Sequence, residues 1–197
     1  PLPNVSAGPN QTICDGFSVT LNGSGANTYT WNNGITNNLS FSPAVGTNSY
    51  TVTGTDANGC VNTDQVDVIV NPLPNVSAGP NQTICDGFSV TLNGSGANTY
   101  TWNNGVTNNL AFNPTVGTNS YTVTGTDTNG CVNTNQVDVT VYVLPNVSAG
   151  PNQTICDGFS VTLNGSGAST YNWNNGITNN LAFNPTVGTN SYTVTGT

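Results

Sequence analysis

The five cysteines are the residues with the clearest chemistry in this sequence, because their spacing is regular. Cys60 follows Cys14 by 46 residues, and Cys131 follows Cys85 by the same 46 residues. Cys156 lies in a third copy of the stretch TICDGFS that surrounds Cys14 and Cys85. Pairs of cysteines at a fixed spacing in small repeated units are typical of disulfides in an oxidising, extracellular setting. We therefore predict disulfides Cys14–Cys60 and Cys85–Cys131, each within its own repeat.

The 46-residue spacing gives Cys156 no partner within the chain. A partner at the same spacing would fall at position 202, beyond Thr197. We therefore expect Cys156 to pair outside this segment, in a chain that runs on past Thr197. Zinc binding is the competing interpretation of paired cysteines. It fails for lack of ligands, because the sequence contains no His and two thiolates per repeat cannot complete a tetrahedral site.

An internal repeat with a period of 71 residues sets the cysteine spacing. Copies one and two differ at eight positions, among them Ile35/Val106 and Asp64/Asn135. The predicted domains are 1–71, 72–142 and 143–197, and the last lacks the segment that reads DANGCVNTDQVDVIV in the first copy. A unit of this length fits a small all-β domain.

Composition argues against several classes of function. The chain carries no Lys, Arg or His and has a net charge of −8, which opposes binding to nucleic acid or to anionic membrane. No apolar run approaches the ~20 residues of a membrane span. General acid–base catalysis lacks His, Lys and Glu here, so we expect no enzymatic activity and no cofactor.

Alternation of apolar and polar residues predicts short strands throughout each repeat. Phe17–Leu21, Ser49–Thr53 and Val66–Val70 all alternate, which places Phe17 among the residues expected in the core. About seven such strands per repeat, separated by turn residues, predict an all-β, Ig-like sandwich. The joint Val70–Pro74 contains two prolines, so we expect stiff connections and an extended rod.

The aromatic and turn residues also resemble a known family. The matching stretches are Tyr29-Thr-Trp31-Asn-Asn-Gly34, Pro43, Gly46 with Tyr50-Thr-Val-Thr53, and Asp56-x-Asn-Gly-Cys60. They resemble the PKD-type Ig-like repeats of very large secreted and surface proteins of Bacteroidota, including gliding-associated adhesins exported by type IX secretion. Acidic residues follow the Trp in the best-known PKD pattern, whereas Asn32 and Asn33 stand there in this sequence. The resemblance implies an extracellular β-sandwich spacer or adhesin module and does not name a ligand.

Two hairpin turns are weak candidates for calcium. They carry Asp56 and Asn58 in the first copy and Asp127 and Asn129 in the second, and they resemble the opening of a calcium loop. Both lack the downstream bidentate carboxylate that such a loop needs. We therefore favour a turn in which the Asp caps its own backbone.

The three tryptophans have two interpretations. Trp31, Trp102 and Trp173 could be platforms that stack against sugars, as in carbohydrate-binding modules. The alternative is a core Trp, as in Ig-type sandwiches. We favour the core position, because Trp31 shares a strand face with Tyr29.

These observations lead to two hypotheses of function. The first is the structural repeat region of an extracellular bacterial surface fibre or giant adhesin, serving adhesion or gliding as a disulfide-linked stiff spacer. Its expected partners are neighbouring repeats of the same long chain and lateral fibre contacts. The second is an array of carbohydrate-binding modules with Trp31, Trp102 and Trp173 as platforms.

Overall fold

The computed structural model describes every residue from Pro1 to Thr197. It is all-β, with short 3₁₀ turns at Asn32–Gly34, Asn103–Gly105 and Asn174–Gly176. The prediction of an all-β sandwich is confirmed. Repeat 1 contains six strands, at β1 Gln11–Cys14, β2 Val19–Thr20, β3 Thr28–Trp31, β4 Ser40–Phe41, β5 Gly46–Thr55 and β6 Val61–Asn71.

Two sheets enclose the core of repeat 1. The larger sheet has the order β1-β6-β5-β3, and the smaller one pairs β2 with β4. Alternate residues of β6 point inward, so Val66, Val68 and Val70 are buried in one core cluster with Leu21, the residue after β2. A bridge between Ser6 and Ser24 adds a further backbone link at the start of the repeat.

The long hairpin β5–β6 forms the centre of the larger sheet. Its two strands are antiparallel and pair from Gly46↔Val70 to Thr55↔Val61. In contrast, β1 runs parallel to β6, from Gln11↔Val68 to Cys14↔Asn71. The first and last strands of the repeat are therefore neighbours that point the same way.

Repeat 2 has the same architecture. Its strands are β7 Gln82–Cys85, β8 Val90–Thr91, β9 Thr99–Trp102, β10 Ala111–Phe112, β11 Gly117–Thr126 and β12 Val132–Tyr142. The sheet orders are β7-β12-β11-β9 and β10-β8, which match those of repeat 1. The equivalent valines of β12 are buried, namely Val137, Val139 and Val141.

Repeat 3 forms only two small sheets. Its strands are β13 Val161–Thr162, β14 Tyr171–Trp173, β15 Ala182–Phe183 and β16 Val194–Gly196. β13 pairs with β15, and β14 pairs with β16. The counterpart of β6 is missing from this sequence, and the counterparts of β1 and of the first half of β5 form no strand.

The chain divides into two compact units. One comprises Pro1–Gln82, Ser89–Pro114 and Thr118–Thr140, and the other comprises Thr83–Phe88, Thr115–Gly117 and Val141–Thr197. The domain boundaries 1–71, 72–142 and 143–197 stay a prediction. No helix in the structure has the length and apolar character needed to cross a membrane.

Phe17 lies outside the core, so the prediction that it faces inward is wrong. Its side chain is 65% exposed, and its equivalents Phe88 and Phe159 are equally outside the core. The strand in this region is shorter than predicted, since β2 covers only Val19–Thr20. Phe17 instead belongs to the turn after β1, where its N–H donates to the carbonyl of Cys14 at 3.2 Å.

Candidate functional site

A disulfide joins repeat 1 to repeat 2 and is the main candidate site. It links Cys14 to Cys131 with a Cα–Cα distance of 5.6 Å across 117 residues of sequence. Cys60, Cys85 and Cys156 are free thiols. The predicted pairs Cys14–Cys60 and Cys85–Cys131 are therefore wrong, since the bond crosses between repeats.

The parallel pairing of β1 with β6 explains why Cys14 cannot reach Cys60. Cys14 lies beside Asn71, the last residue of β6, whereas Cys60 lies just before Val61, the first residue of that strand. Eleven residues of extended chain separate these positions, a distance of about 35 Å at strand geometry. A disulfide requires Cα atoms no more than about 7 Å apart. Repeat 1 thus holds Cys14 and Cys60 at opposite ends of its larger sheet.

Backbone hydrogen bonds hold both half-cystines in place. Cys14 ends β1, and the next residue, Asp15, donates its N–H to the carbonyl of Asn71 at 2.8 Å. Cys131 lies in the β11–β12 turn, where its N–H donates to Oδ1 of Asp127 at 2.8 Å. The N–H of Asp127 in turn donates to the carbonyl of Cys131 at 2.9 Å. The Cys131 side chain is fully buried.

The calcium candidates prove to be turn-capping residues. Oδ1 of Asp127 accepts the N–H groups of Asn129 and Cys131, each at 2.8 Å. Oδ1 of Asp56 accepts those of Asn58 and Cys60 at 2.9 and 2.8 Å. One carboxylate oxygen of each Asp is therefore committed to the backbone, as the capping interpretation predicts. No group of three or more His, Cys, Asp or Glu side chains is close enough together to hold a metal ion.

The tryptophans lie in the core. Trp31 is 8% exposed, Trp102 is 9% and Trp173 is 4%. The indole N–H of Trp31 donates to Oδ1 of Asn37 at 2.9 Å, so its polar edge has a partner inside the domain. The three indoles are therefore not exposed platforms, and the core interpretation is confirmed.

Asn37 is a structural residue that the sequence patterns do not reveal. Its Oδ1 accepts the indole N–H of Trp31 and also the backbone N–H of Gly23 at 2.8 Å. The same two bonds recur at Asn108 and Asn179. The only signal in the sequence is the constant spacing of six residues between each Trp and this Asn. Asn37 fixes the Trp against the turn that follows β2.

Asp64 forms a long-range contact that secures the start of repeat 1. Its Oδ2 accepts the N–H of Ala7 at 2.8 Å across 57 residues of sequence. This bond, and a second one from the N–H of Gln65, lower the pKa of the Asp64 carboxyl. In repeat 2 the amide oxygen of Asn135 accepts the N–H of Ala78 at a longer 3.3 Å. A neutral amide can therefore make the same contact.

The Cys14–Cys131 disulfide changes the covalent path through the chain. From Pro1 a continuous path of bonds passes to Cys14, across the disulfide to Cys131, and directly into β12. Residues 15–130 lie on a closed covalent loop beside this path. A force applied to the two ends of the chain therefore cannot extend that loop while the disulfide is intact.

Comparisons with known proteins find similarity only among solved structures. No protein-family model matches the chain. No curated protein matches it either. The structure of the N-terminal eight Ig domains of Down syndrome cell adhesion molecule is 20% identical over 87% of this chain, with a TM-score of 0.35. The fibronectin(III)-like modules of Clostridium thermocellum CbhA are 12% identical over 71% of this chain, with a TM-score of 0.32.

A third similar structure is described as SGBP-B of the Bacteroides ovatus mixed-linkage glucan utilization locus, in complex with a mixed-linkage heptasaccharide. It is 18% identical over 79% of this chain, with a TM-score of 0.26. The chain covers 33% of the adhesion-molecule structure, 94% of the CbhA structure and 48% of this one. It thus spans about a third of the length of the first of these proteins.

Proposed function

We propose that this chain is a structural repeat region of an extracellular fibre or giant adhesin on a bacterial surface, which carries tension in adhesion or gliding. The observation that carries the proposal is the Cys14–Cys131 disulfide, which joins one repeat covalently to the next. Disulfides persist in oxidising, extracellular settings. The resemblance to PKD-type repeats of secreted Bacteroidota proteins supports the same assignment.

The direction of the first and last strands suits a chain under tension. When the Cys14–Cys131 disulfide is reduced, tension pulls the N-terminal end of β1 and the C-terminal end of β6 in opposite directions. Because β1 and β6 are parallel neighbours, the pull shears all their backbone hydrogen bonds together instead of opening them one at a time. The ten-residue pairing of β5 with β6 anchors the loaded strand in the sheet.

While it is intact, the Cys14–Cys131 disulfide takes β6 off the path of force and sets a covalent limit on extension. It closes a loop that contains most of repeat 1 and nearly all of repeat 2 up to β12. Even if both domains unfold under load, the residues within the loop add no length between the ends of the chain. We therefore propose that the chain acts as a spacer whose end-to-end length increases little when repeats 1 and 2 unfold.

The second hypothesis, an array of carbohydrate-binding modules, loses its proposed platforms. It depended on exposed Trp31, Trp102 and Trp173, and all three are buried. No other observation in the structure favours a sugar site, so we carry this function no further.

Single-molecule stretching of the full chain tests the mechanical proposal. The oxidised chain should reach a final length shorter by about 400 Å than the Cys14→Ser variant, the extended length of the 117-residue separation. Cys85→Ser is the matched control, since Cys85 is a free thiol and its loss should leave the length unchanged. Equal final lengths for the oxidised chain and the Cys14→Ser variant would refute the proposal.

A further inference from the structure

The two cysteines of the disulfide lie where loaded chain meets unloaded chain. While the bond is intact, the path that carries tension leaves β1 at Cys14 and enters β12 from Cys131. Residues 15–130 form the loop beside that path and carry no load through their covalent bonds. The contacts between the loop and the path therefore decide whether the disulfide keeps its folded surroundings when the chain is pulled.

The folded surroundings of the disulfide oppose attack by a thiol at either sulfur. Cys131 is 0% exposed, so a thiolate cannot approach its sulfur. Attack at the half-buried Cys14 would instead leave the Cys131 thiolate as a buried negative charge, which costs free energy when it has no partner. The chain contains no Lys, Arg or His side chain to compensate that charge. The Asp127 carboxylate, which accepts the N–H of Cys131 at 2.8 Å, adds a second negative charge beside this residue.

Few contacts hold the disulfide in this protected position against a pull. Two hydrogen bonds join Cys131 to Asp127, at 2.8 Å to the carboxylate and at 2.9 Å between backbone groups. Asp127 lies on the unloaded loop and Cys131 on the loaded path, so tension acts on both bonds directly. On the other side only the four residues Gln11–Cys14 pair β1 with the unloaded β6. The ten-residue hairpin pairing of β5 with β6 lies wholly within the loop, so tension uncovers the disulfide without opening that hairpin.

Tension also acts along the sulfur–sulfur bond itself, because that bond is part of the loaded path. The bond lengthens during thiol–disulfide exchange, as the attacking thiolate replaces the leaving one. A force along the bond therefore favours the transition state of the exchange. Load thus promotes the reaction in two ways, by uncovering the sulfur atoms and by lowering the barrier to substitution.

We propose that the Cys14–Cys131 disulfide is a tension-gated site of thiol–disulfide exchange, whose substrate is a small thiol such as glutathione. This inference rests on the proposed function of carrying tension and adds a regulation of the same disulfide. The folded, unloaded chain keeps the disulfide and its limited length. A loaded chain that meets the thiol loses the disulfide and gains residues 15–130 as additional length. Full extension therefore requires load and thiol together.

The exchange needs no reactant besides the thiol. Glutathione gives its thiol proton to solvent, and its thiolate attacks the sulfur of Cys14 or Cys131. A mixed disulfide with glutathione forms as the Cys14–Cys131 bond breaks, and the other cysteine leaves as a thiolate that takes up a proton. When the load is removed, that cysteine attacks the mixed disulfide and expels glutathione, which restores the original bond. No external oxidant is needed in either direction, because one disulfide replaces another.

The rate at which reduced glutathione opens the disulfide of the unloaded full chain tests the protection. The reference is a disulfide-linked pair of synthetic peptides, residues 1–17 and 122–142, which carry the same two cysteines without the fold. The folded chain should lose its disulfide at least about tenfold more slowly than this pair in the same buffer, because both the approach of the thiol and the departure of the Cys131 thiolate are disfavoured.

Variants of the two equivalent turns test how the protection is held. Asp127→Ala removes the anchor of Cys131 and should accelerate loss of the disulfide several-fold in the folded chain. Asp56→Ala changes the matching turn of repeat 1 and should leave the rate unchanged. Equal rates in the folded chain and the peptide pair, or equal rates in the two variants, would overturn the proposal.

A force clamp on the full oxidised chain tests the effect of load. With reduced glutathione present, the chain should lengthen in a single step of about 400 Å, the extended length of the 117-residue separation, at a rate that rises with force and with glutathione concentration. Cys14→Ser should show no such step, and Cys85→Ser should behave like the parent chain. A step rate that does not depend on force would overturn the tension-gated exchange. That result would leave the proposed function standing, since the proposed function fails only if the oxidised chain and Cys14→Ser reach equal final lengths.

Discussion

At the scale of single residues, Gly25 is a position where the backbone tolerates no side chain. Its φ is +86°, and a Cβ added there would overlap the carbonyl oxygen of Asn4. Gly16 has nearly the same φ, +85°, but open space around it. We expect Gly25→Ala to destabilise repeat 1 by about 3 kcal/mol or more and Gly16→Ala by about 1 kcal/mol.

Amide hydrogen exchange in β6 measures this difference locally, because the sequence of β6 differs from that of β12 and their peptides can be told apart. Exchange in β6 should accelerate strongly in Gly25→Ala and only slightly in Gly16→Ala. Equal acceleration in both variants would show that the φ angle alone, and not the contact with Asn4, limits this position.

Asp64 should make the stability of repeat 1 depend on pH in a way that repeat 2, with Asn135 at the same position, does not. Hydrogen bonds from backbone N–H groups hold the folded-state pKa of Asp64 below its unfolded value. Its contribution to stability is therefore present above the unfolded pKa and is lost as the pH falls through the folded pKa. The contact of Ala78 with the neutral Asn135 should not change over that range.

NMR of the amide protons tests this at two equivalent positions in one molecule. As the pH falls from 7 to about 2, the Ala7 amide should shift and exchange faster as Asp64 becomes protonated. The Ala78 amide should change little. The Asp64→Asn variant should make Ala7 behave like Ala78, and an unchanged Ala7 response in that variant would contradict the assignment.

At the scale of elements, the turn between β11 and β12 positions the half-cystine Cys131. We expect Asp127→Ala to lower the ratio of disulfide to free thiol at least about fivefold in a glutathione buffer, because it removes the hydrogen bonds to the N–H groups of Asn129 and Cys131, each of about 1 kcal/mol. Asp127→Asn keeps an acceptor and should restore most of the ratio. Asp56→Ala, in the matching turn beside the free Cys60, should leave the ratio unchanged. A fivefold loss in Asp56→Ala as well would contradict a local role.

The sequence predicts the elements of the fold better than their pairing. The alternating valines of β6, the capped Asp56 turn and the buried Trp31 all follow from local pattern, because each depends on neighbours close in sequence. β1 has no such pattern, since only Ile13 of QTIC is strongly apolar. Its place beside β6 rests on contacts some 57 residues away in sequence.

The error in the cysteine pairing has the same origin. The equal spacing of the cysteines is compatible with disulfides inside a repeat and with disulfides between successive repeats, because either pairing recurs with the 71-residue period. Only the parallel register of β1 with the end of β6 shows that Cys14 and Cys60 lie at opposite ends of the sheet. The sequence patterns do not reveal Asn37 for a related reason, because only the folded turn brings its two partners together.

At the scale of the whole molecule, the Cys14–Cys131 disulfide joins repeat 1 covalently to repeat 2. The observed pair connects the first cysteine of one repeat with the second cysteine of the next. The resulting 117-residue loop should stabilise the folded state by about 5 kcal/mol through loop-closure entropy. The limited extension under force depends on this connectivity.

Differential alkylation of the native chain measures that connectivity most directly. Free thiols are blocked with a light reagent, the disulfides are then reduced, and the released thiols are labelled with a heavy one. The chymotryptic peptide with Cys131 has a sequence of its own, whereas the peptide with Cys60 also contains Cys85, because Leu73 precedes Pro74 and is not cleaved. Fragment ions of that peptide assign the label to each of its two cysteines. The structure predicts a light label on Cys60 and a heavy label on Cys131, with Cys131 becoming light in Cys14→Ser and staying heavy in Cys85→Ser. A heavy label on Cys60, or a heavy Cys131 that survives Cys14→Ser and is lost in Cys85→Ser, would contradict the link between repeats.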